Sequence, residues 1–569
     1  MRIFLFAEIG LHLFFNLQIM IRYFLAVCLF GFSIWMSAQT APHQYMFRVY
    51  LKDKPNAGYS VANPEKFLSG RSIERKNKQN VKVDASDFPV SADYLRMIEK
   101  SGAKIVSQSK WFNTCVAQVS DSAKIEDLKL LPFVDSVKYV WRGFINPAAN
   151  YMRPRLEATD CGDEVAFDNV FGFTQLEFAV HNAAALADAG FRGKGIRVGV
   201  IDAGFTNFDA IPYFEGMAFF GYKDFVPNGY IFTASDHGTK VLSTMAVNKP
   251  NLMVGSAPEA SFLLLRSEDA RSEFPVEEDF WVAAVEYADS VGVDMVNTSL
   301  GYSDFDDKSL NYNHAQLDGK TSLMTRAADR AFEKGILVVG SAGNEGNKPW
   351  KKITSPGDAR NILTIGAISP DSVITPFSSV GPTADHRIKP DLVSVGGPAV
   401  VIGQNGAIGL SMGTSFSAPF MAGLIASLWS INPELNRQQI INIVKQSADR
   451  YQHPDTIYGY GIPDFGKAMS VVLETLPTYD KKVTNNRFSI APDVANKNYE
   501  VTLIEPEYTN DAYSVKLLNQ QGIKVTERQF EEKKNFVSFP ITDELSKTGK
   551  FIYFVIDSPF KQDVIRIKR

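Results

Sequence analysis

The stretch Ile196-Arg197-Val198-Gly199-Val200-Ile201-Asp202-Ala203-Gly204 runs through nearly continuous apolar residues into a carboxylate and then a glycine. A strand that is apolar on both sides reads as one buried in a sheet covered on both faces. Similar runs follow at residues 262–266, 295–300, 336–340, 362–367 and 392–395. Stretches with helical periodicity, at 277–291, 322–334 and 414–430, fall between or after them. This alternation predicts an α/β domain over residues 177–475, a parallel sheet flanked by helices. Right-handed crossovers bring the carboxyl ends of such strands, and the loops after them, to one edge, where function is expected.

Working outward, the 569 residues exceed one core; at about 150 residues per domain they suggest roughly three units. Residues 43–145 mix short strands with amphipathic helices and read as a small α+β unit. Residues 146–176, with Pro147, Pro154, Asp160, Gly162 and Asp163, read as a linker. Residues 484–569 lose helical periodicity and read as an antiparallel β-sandwich, with strands at 501–504, 513–518, 536–539, 551–556 and 564–567. Residues 1–38 read as a signal peptide: Arg22 precedes an apolar run from Phe24 to Met36, and Ser37-Ala38-Gln39 offers a cleavage site. Met20 is an alternative start. The apolar run is shorter than the ~20 residues a membrane span needs, so the chain is expected to be exported, ending free or surface-attached.

A formal net charge of −4 shows no basic excess and argues against nucleic acid as a partner. The run Arg75-Lys76-Asn77-Lys78 is expected to be solvated surface. Cys28 leaves with the signal, and the spacing of Cys115 and Cys161 leaves their pairing open. No Cys/His cluster suggests structural zinc.

Four segments in the α/β region carry chemistry. Asp202 ends a strand before glycine; Asp236-His237-Gly238-Thr239 opens a helical run; Gly413-Thr414-Ser415-Phe416-Ser417-Ala418-Pro419 opens another. Val338-Val339-Gly340-Ser341-Ala342-Gly343-Asn344-Glu345-Gly346 ends a further strand in a glycine-rich turn. Taken singly, each has a plain structural reading: a turn aspartate, a cap histidine, an N-cap serine, a left-handed asparagine. Together they supply what nucleophilic catalysis by a hydroxyl needs. A serine requires a neighbouring base. An imidazole can take its proton and return it to a leaving amine. A carboxylate fixes the ring's tautomer, and an amide or helix N-terminus can meet a developing oxyanion.

These segments resemble the subtilisin-like serine peptidases, in the order Asp, His, Ser. The resemblance covers about residues 179–468. It implies that Asp202 orients, His237 is the general base and acid, Ser415 is the nucleophile, and Asn344 with the Ser415 N–H forms the oxyanion hole. It also implies a substrate-binding edge at Ser299, Leu300, Gly301 and Tyr302, and a primary pocket near Ser341, Ala342, Gly343 and Glu345, with Glu345 favouring basic or polar residues. Phe416 and Ser417 stand where the family commonly has Met-Ala, and Lys240 where it often has a small or apolar residue; neither is expected to touch the triad. No cofactor is required for the chemistry, and structural calcium, common in relatives, is not readable from this sequence.

Residues 43–145 are similar in position and size to the inhibitory propeptides of that family, which implies a zymogen whose own propeptide is an intramolecular inhibitor; Tyr139 to Ile145 would lie in the cleft as a product-like strand. The C-terminal unit resembles a type IX secretion sorting domain, with Ser489-Ile490-Ala491-Pro492 in place of the usual Pro-Asn-Pro, or else a stabilising or substrate-docking sandwich. The expected function is hydrolysis of internal bonds in protein or peptide substrates. Two alternatives stay open: a catalytically silent peptide-binding scaffold, and a peptide ligase or cyclase that uses the same acyl-enzyme.

Overall fold

The computed structural model describes residues 43–55, 58–144, 167–493, 495, 497–504, 513–530, 535–540, 549–558 and 561–569. The signal-peptide reading, Ile145, most of the linker and Cys161 lie outside the described residues.

The N-terminal unit contains β1 (Gln44–Leu51), α1 (Gly70–Lys78), α2 (Ala92–Lys100), β2 (Lys104–Ser109), β3 (Thr114–Val119), α3 (Lys124–Lys129) and β4 (Val134–Gly143). Its antiparallel sheet has the order β2-β3-β1-β4. Serines start the first two helices: Ser69 accepts from the Ser72 N–H, and Ser91 from the Tyr94 N–H, each meeting an amide the helix leaves unpaired. Cys115 is fully buried in this unit's core, and burial pushes its thiol up to about 12.

The central unit contains β5 (Arg197–Asp202), β6 (Phe219–Asp224), α4 (His237–Ala246), β7 (Ser261–Arg266), α5 (Val276–Val291), β8 (Met295–Thr298), α6 (Leu323–Glu333), β9 (Leu337–Ser341), β10 (Leu363–Ile368), β11 (Leu392–Val395), α7 (Thr414–Trp429), α8 (Arg437–Ser447) and α9 (Phe465–Glu474). Its seven strands run in the order β11-β10-β9-β8-β5-β7-β6, with the six adjacent pairings parallel. The predicted parallel sheet is therefore present. β6 was not predicted; it is an edge strand with half-buried and exposed residues, so it lacks the apolar run of the inner strands. All sixteen residues of α7 are buried, as its apolar composition around the whole helix requires.

The C-terminal unit pairs one sheet ordered Thr478–Asp480, Gln562–Lys568, Phe551–Asp557, Ser514–Leu518, Lys524–Gln529 with another ordered Val483–Thr484, Phe488–Asp493, Asn498–Leu503, Phe536–Pro540. Ser489 to Pro492 fall inside a paired strand. Leu518, Tyr553 and Val555 join the same apolar core as Met469 and Leu473 of α9. Lys194 adds a bond of 2.5 Å to Asp557 and one of 2.9 Å to the Ser558 carbonyl.

Tyr139 to Gly143 belong to β4 and pair with β1, and among the described residues β4 is the edge strand of its sheet, paired on one side only. One expectation about the N-terminal unit is corrected. Arg75 and Lys76 are not solvated: each is 1% exposed. Asp289, in the last turn of α5, receives Arg75 at 2.5 Å, Lys76 at 2.9 Å and Lys110 at 3.1 Å. The surface of the central unit supplies the partner that the local sequence does not contain. Further contacts across this boundary include Arg48 with Asp279 at 2.6 Å and Lys334 with Asp87 at 2.9 Å. Glu286 of α5 accepts the backbone N–H groups of Lys110 at 2.7 Å and Trp111 at 2.9 Å.

Burial alone would raise the Asp289 pKa, but Lys110, Lys76 and Arg75 hold it well below the ordinary carboxylate range. Asp289→Ala would strand three cations in a buried place, a loss of about 3–5 kcal/mol for a broken buried pair. Urea unfolding of the full chain, carried in a Ser415→Ala background to prevent self-cleavage, should show that loss. A change below ~1 kcal/mol would mean that water reaches these charges.

Candidate active site

β5 delivers Asp202 to the carboxyl edge of the sheet, where the side chain is fully buried. Its backbone carbonyl accepts the Ser267 N–H at 3.1 Å, so the strand end is fixed from the β7 side. Asp202 Oδ1 accepts from the Ala203 N–H at 2.8 Å and lies 2.7 Å from His237 Nδ1. Among the described residues, the buried Oδ2 has no hydrogen-bond partner. With its proton on Nδ1 the imidazole donates to the carboxylate, and Nε2 is left to act as an acceptor.

His237 is the first residue of α4. Gly238 after it permits the close approach: a Cβ there would lie 2.4 Å from the Gly204 carbonyl oxygen and 3.0 Å from Asp202 Cβ. Burial would lower the His237 pKa, but the Asp202 charge and hydrogen bond, with smaller contributions from Glu268 and Asp236, push it up to about 9.

Ser415 lies in the first turn of α7, which packs beside α4. Its Oγ donates to the Ser299 carbonyl at 3.4 Å, and Ser299 Oγ donates to the Ser415 carbonyl at 2.9 Å. The nucleophile candidate is thus held against the strand end after β8. The neighbouring Phe416 ring lies 6.0 Å from the His237 ring. The Phe416 ring is thus a neighbour of the imidazole. Lys240 points elsewhere, pairing with Asp236 at 2.8 Å.

Asn344 is oriented by its neighbours. Its Oδ1 accepts the Thr414 N–H and the Thr414 hydroxyl, each at 2.9 Å. The carbonyl end must face those donors, so the Nδ2 amide is turned outward beside Gly413. Thr414 in turn is an acceptor for the Gly343 N–H at 3.2 Å. Sequence reasoning did not single out Thr414. Its position next to Ser415 was the available signal, but its role depends on a turn about 70 residues earlier in the chain.

The remaining candidates divide. Leu300 and Tyr302 are buried in the core, and the Tyr302 N–H and C=O both pair with Ser355, so the exposed part of this edge ends at Gly301. A Cβ on Gly301 would sit 2.2 Å from Thr354 Oγ1, which makes glycine necessary there. A cavity of about 830 Å³ opens beside Gly301, Thr354, Glu345 and Trp350. Ser341 and Ala342 are buried and are not among the residues that line it. Glu345 is bonded to Lys348 at 2.8 Å, so part of its charge is already answered. Among the described residues no group of three or more His, Cys, Asp or Glu is arranged to hold a metal ion.

A raised histidine pKa stabilises the fold below its unfolded value, near 6.5, and that contribution is lost as pH rises through about 9. Asp202→Asn removes the chief raising charge and leaves burial to depress the ring. His237 should then titrate near or below pH 6.5 in an imidazole NMR titration of the full chain. An unchanged titration would show that Asp202 does not set it.

Residues 193–461 match the Subtilase family, and residues 46–153 match the peptidase S8 propeptide domain of Bacteroidota. Subtilisin NAT of Bacillus subtilis subsp. natto is 28% identical over 380 residues, covering 65% of this chain and 84% of that protein. Serine protease AprX of Bacillus subtilis is 27% identical over 426 residues, covering 68% and 87%. The epidermin leader peptide processing serine protease of Staphylococcus aureus shares the fold, with a TM-score of 0.52 and 16% identity over 76% of this chain and 99% of that one.

Proposed function

Since the chain is a serine endopeptidase of the subtilase family, carrying that family's propeptide domain, we propose that it cuts internal peptide bonds through Ser415, His237 and Asp202. The observation that carries this reading is the buried Asp202 carboxylate 2.7 Å from His237 Nδ1, on the helix packed against the one that bears Ser415. His237 Nε2 takes the Ser415 proton as Oγ adds to the substrate carbonyl. The oxyanion is met by Asn344 Nδ2 and the Ser415 N–H. The tetrahedral intermediate collapses as the imidazolium gives its proton to the departing amine, leaving an acyl-Ser415. Water, deprotonated by the same ring, adds to the acyl carbon; the acid leaves and Ser415 regains its proton. Asp202 stays ionised throughout and balances the imidazolium. None of these steps uses a cofactor.

The propeptide makes the product of synthesis a zymogen, and residues 1–38 would export it. The apolar core shared by α9 and the C-terminal sandwich supports a stabilising role for that unit over a detachable tag. The silent-scaffold alternative has no use for the Thr414-oriented amide of Asn344. The ligase alternative differs only in the acceptor for the acyl group, and mass spectrometry of the products separates it from hydrolysis.

The matured enzyme should react with a fluorophosphonate probe and hydrolyse casein, and Ser415→Ala should abolish both. Asn344→Ala should lower kcat about 10²–10³-fold, subtilisin's own magnitude for its oxyanion-hole asparagine, while leaving the KM near its original value. A folded, propeptide-free protein that takes no probe would sink the reading.

A further inference from the structure

Two large apolar side chains stand in solvent just ahead of Ser415 in the chain. Leu410 is 68% exposed and Met412 is 60% exposed. Single exposed apolar residues are ordinary, but several gathered at one place mark a binding surface. Here they gather. A Cβ on Gly397 would lie 3.1 Å from the Met412 methyl, 3.1 Å from the Phe377 ring and 2.9 Å from the Thr375 methyl. Three side chains therefore converge on a residue that has none. Phe377 is half-buried and Pro376 before it is exposed, so this apolar surface is open to a ligand.

The backbone ties the surface to all the parts of the site. Leu410 lies on the outer strand of a hairpin, Ile408–Ser411 against Ala399–Ile402. The inner strand is buried, and its Ile402 N–H donates to Ser243 Oγ of α4 at 2.9 Å. The Gly413 N–H donates to the Gly396 carbonyl at 2.8 Å, and the Phe377 carbonyl accepts the Gly346 N–H at 2.8 Å. The patch is thus fixed to α4, which bears His237, to the start of α7, which bears Ser415, and to the turn that carries Asn344.

Its place along the sheet says which half of a substrate meets it. The strands lie in the order β8, β9, β10, β11. Ser299–Gly301, Asn344, Phe377 and Gly397, each beyond one of those strands, therefore succeed one another along the carboxyl edge. The Thr375 N–H donates to the Ala367 carbonyl at 3.0 Å, which keeps Phe377 beside the end of β10. An acyl segment paired along Ser299–Gly301 brings its carbonyl to Ser415 and Asn344. The chain beyond that carbonyl then continues past Asn344, over Phe377 and Met412. We propose that Met412, Leu410 and Phe377 form a subsite that selects apolar side chains in the first two residues of the departing segment. This rests on the triad reading above.

The test uses the full chain after its own maturation, with active sites counted by fluorophosphonate labelling. Peptides share one acyl half and carry Leu, Phe, Ser or Asp at the first or second departing residue. A p-nitroanilide of the same acyl half, which has no departing residue, is the reference for each enzyme, so that damage to the triad cancels. Leu and Phe should exceed Ser in kcat/KM by about tenfold, with Asp below Ser. Met412→Gln should lower the Leu-to-Ser ratio, Met412→Gln with Leu410→Gln should bring it close to one, and Met412→Lys should raise Asp above Leu. Both side chains lie largely in solvent, so these changes leave the fold in place. Wild-type cleavage indifferent to the departing residues, or a preference that survives in the double variant, would overturn the subsite while leaving the triad intact. Absence of both probe labelling and anilide hydrolysis in a folded mature protein would overturn the triad reading and the subsite with it.

Discussion

The carboxyl edge of the central sheet is organised around one buried contact, the 2.7 Å bond between Asp202 and His237. An ionised carboxylate without solvent is expensive unless its surroundings answer it. Here the imidazole and the Ala203 N–H meet one oxygen, and among the described residues the second has no partner. The arrangement therefore favours a cationic partner at the ring, the state that a general base passes through. The sheet makes this contact possible. It presents Asp202 at a strand end, and Gly238 lets the helix that bears His237 approach to within a distance that a side chain would forbid.

The N-terminal unit is bound to the central one by a different logic. Its contacts combine an apolar cluster, Met46, Val116 and Val140 with Phe274, Val276 and Phe280, with buried ion pairs, and the desolvation of the ion pairs offsets most of their mutual attraction. Their strength lies in the asymmetry: removing either side leaves charges stranded. Asp289 holds three cations, and Lys334 holds Asp87. The ion pairs select the correct partner and register more than they add affinity. A cut in the connecting chain would leave these pairs in place, so loss of the propeptide requires a further event, such as its own digestion.

The parallel sheet was legible because buried strands write themselves as apolar runs, and β5, β7 and β9 read that way from residue order alone. The four segments proposed to carry the chemistry stand out in the sequence because each pairs a polar side chain with glycine at a strand or helix end. What escaped was non-local. Arg75 and Lys76 look like any solvated basic run, since their partner Asp289 lies more than 200 residues away. Phe416 faces His237 only because two helices pack together. The edge strand β6 alternates too weakly to be seen.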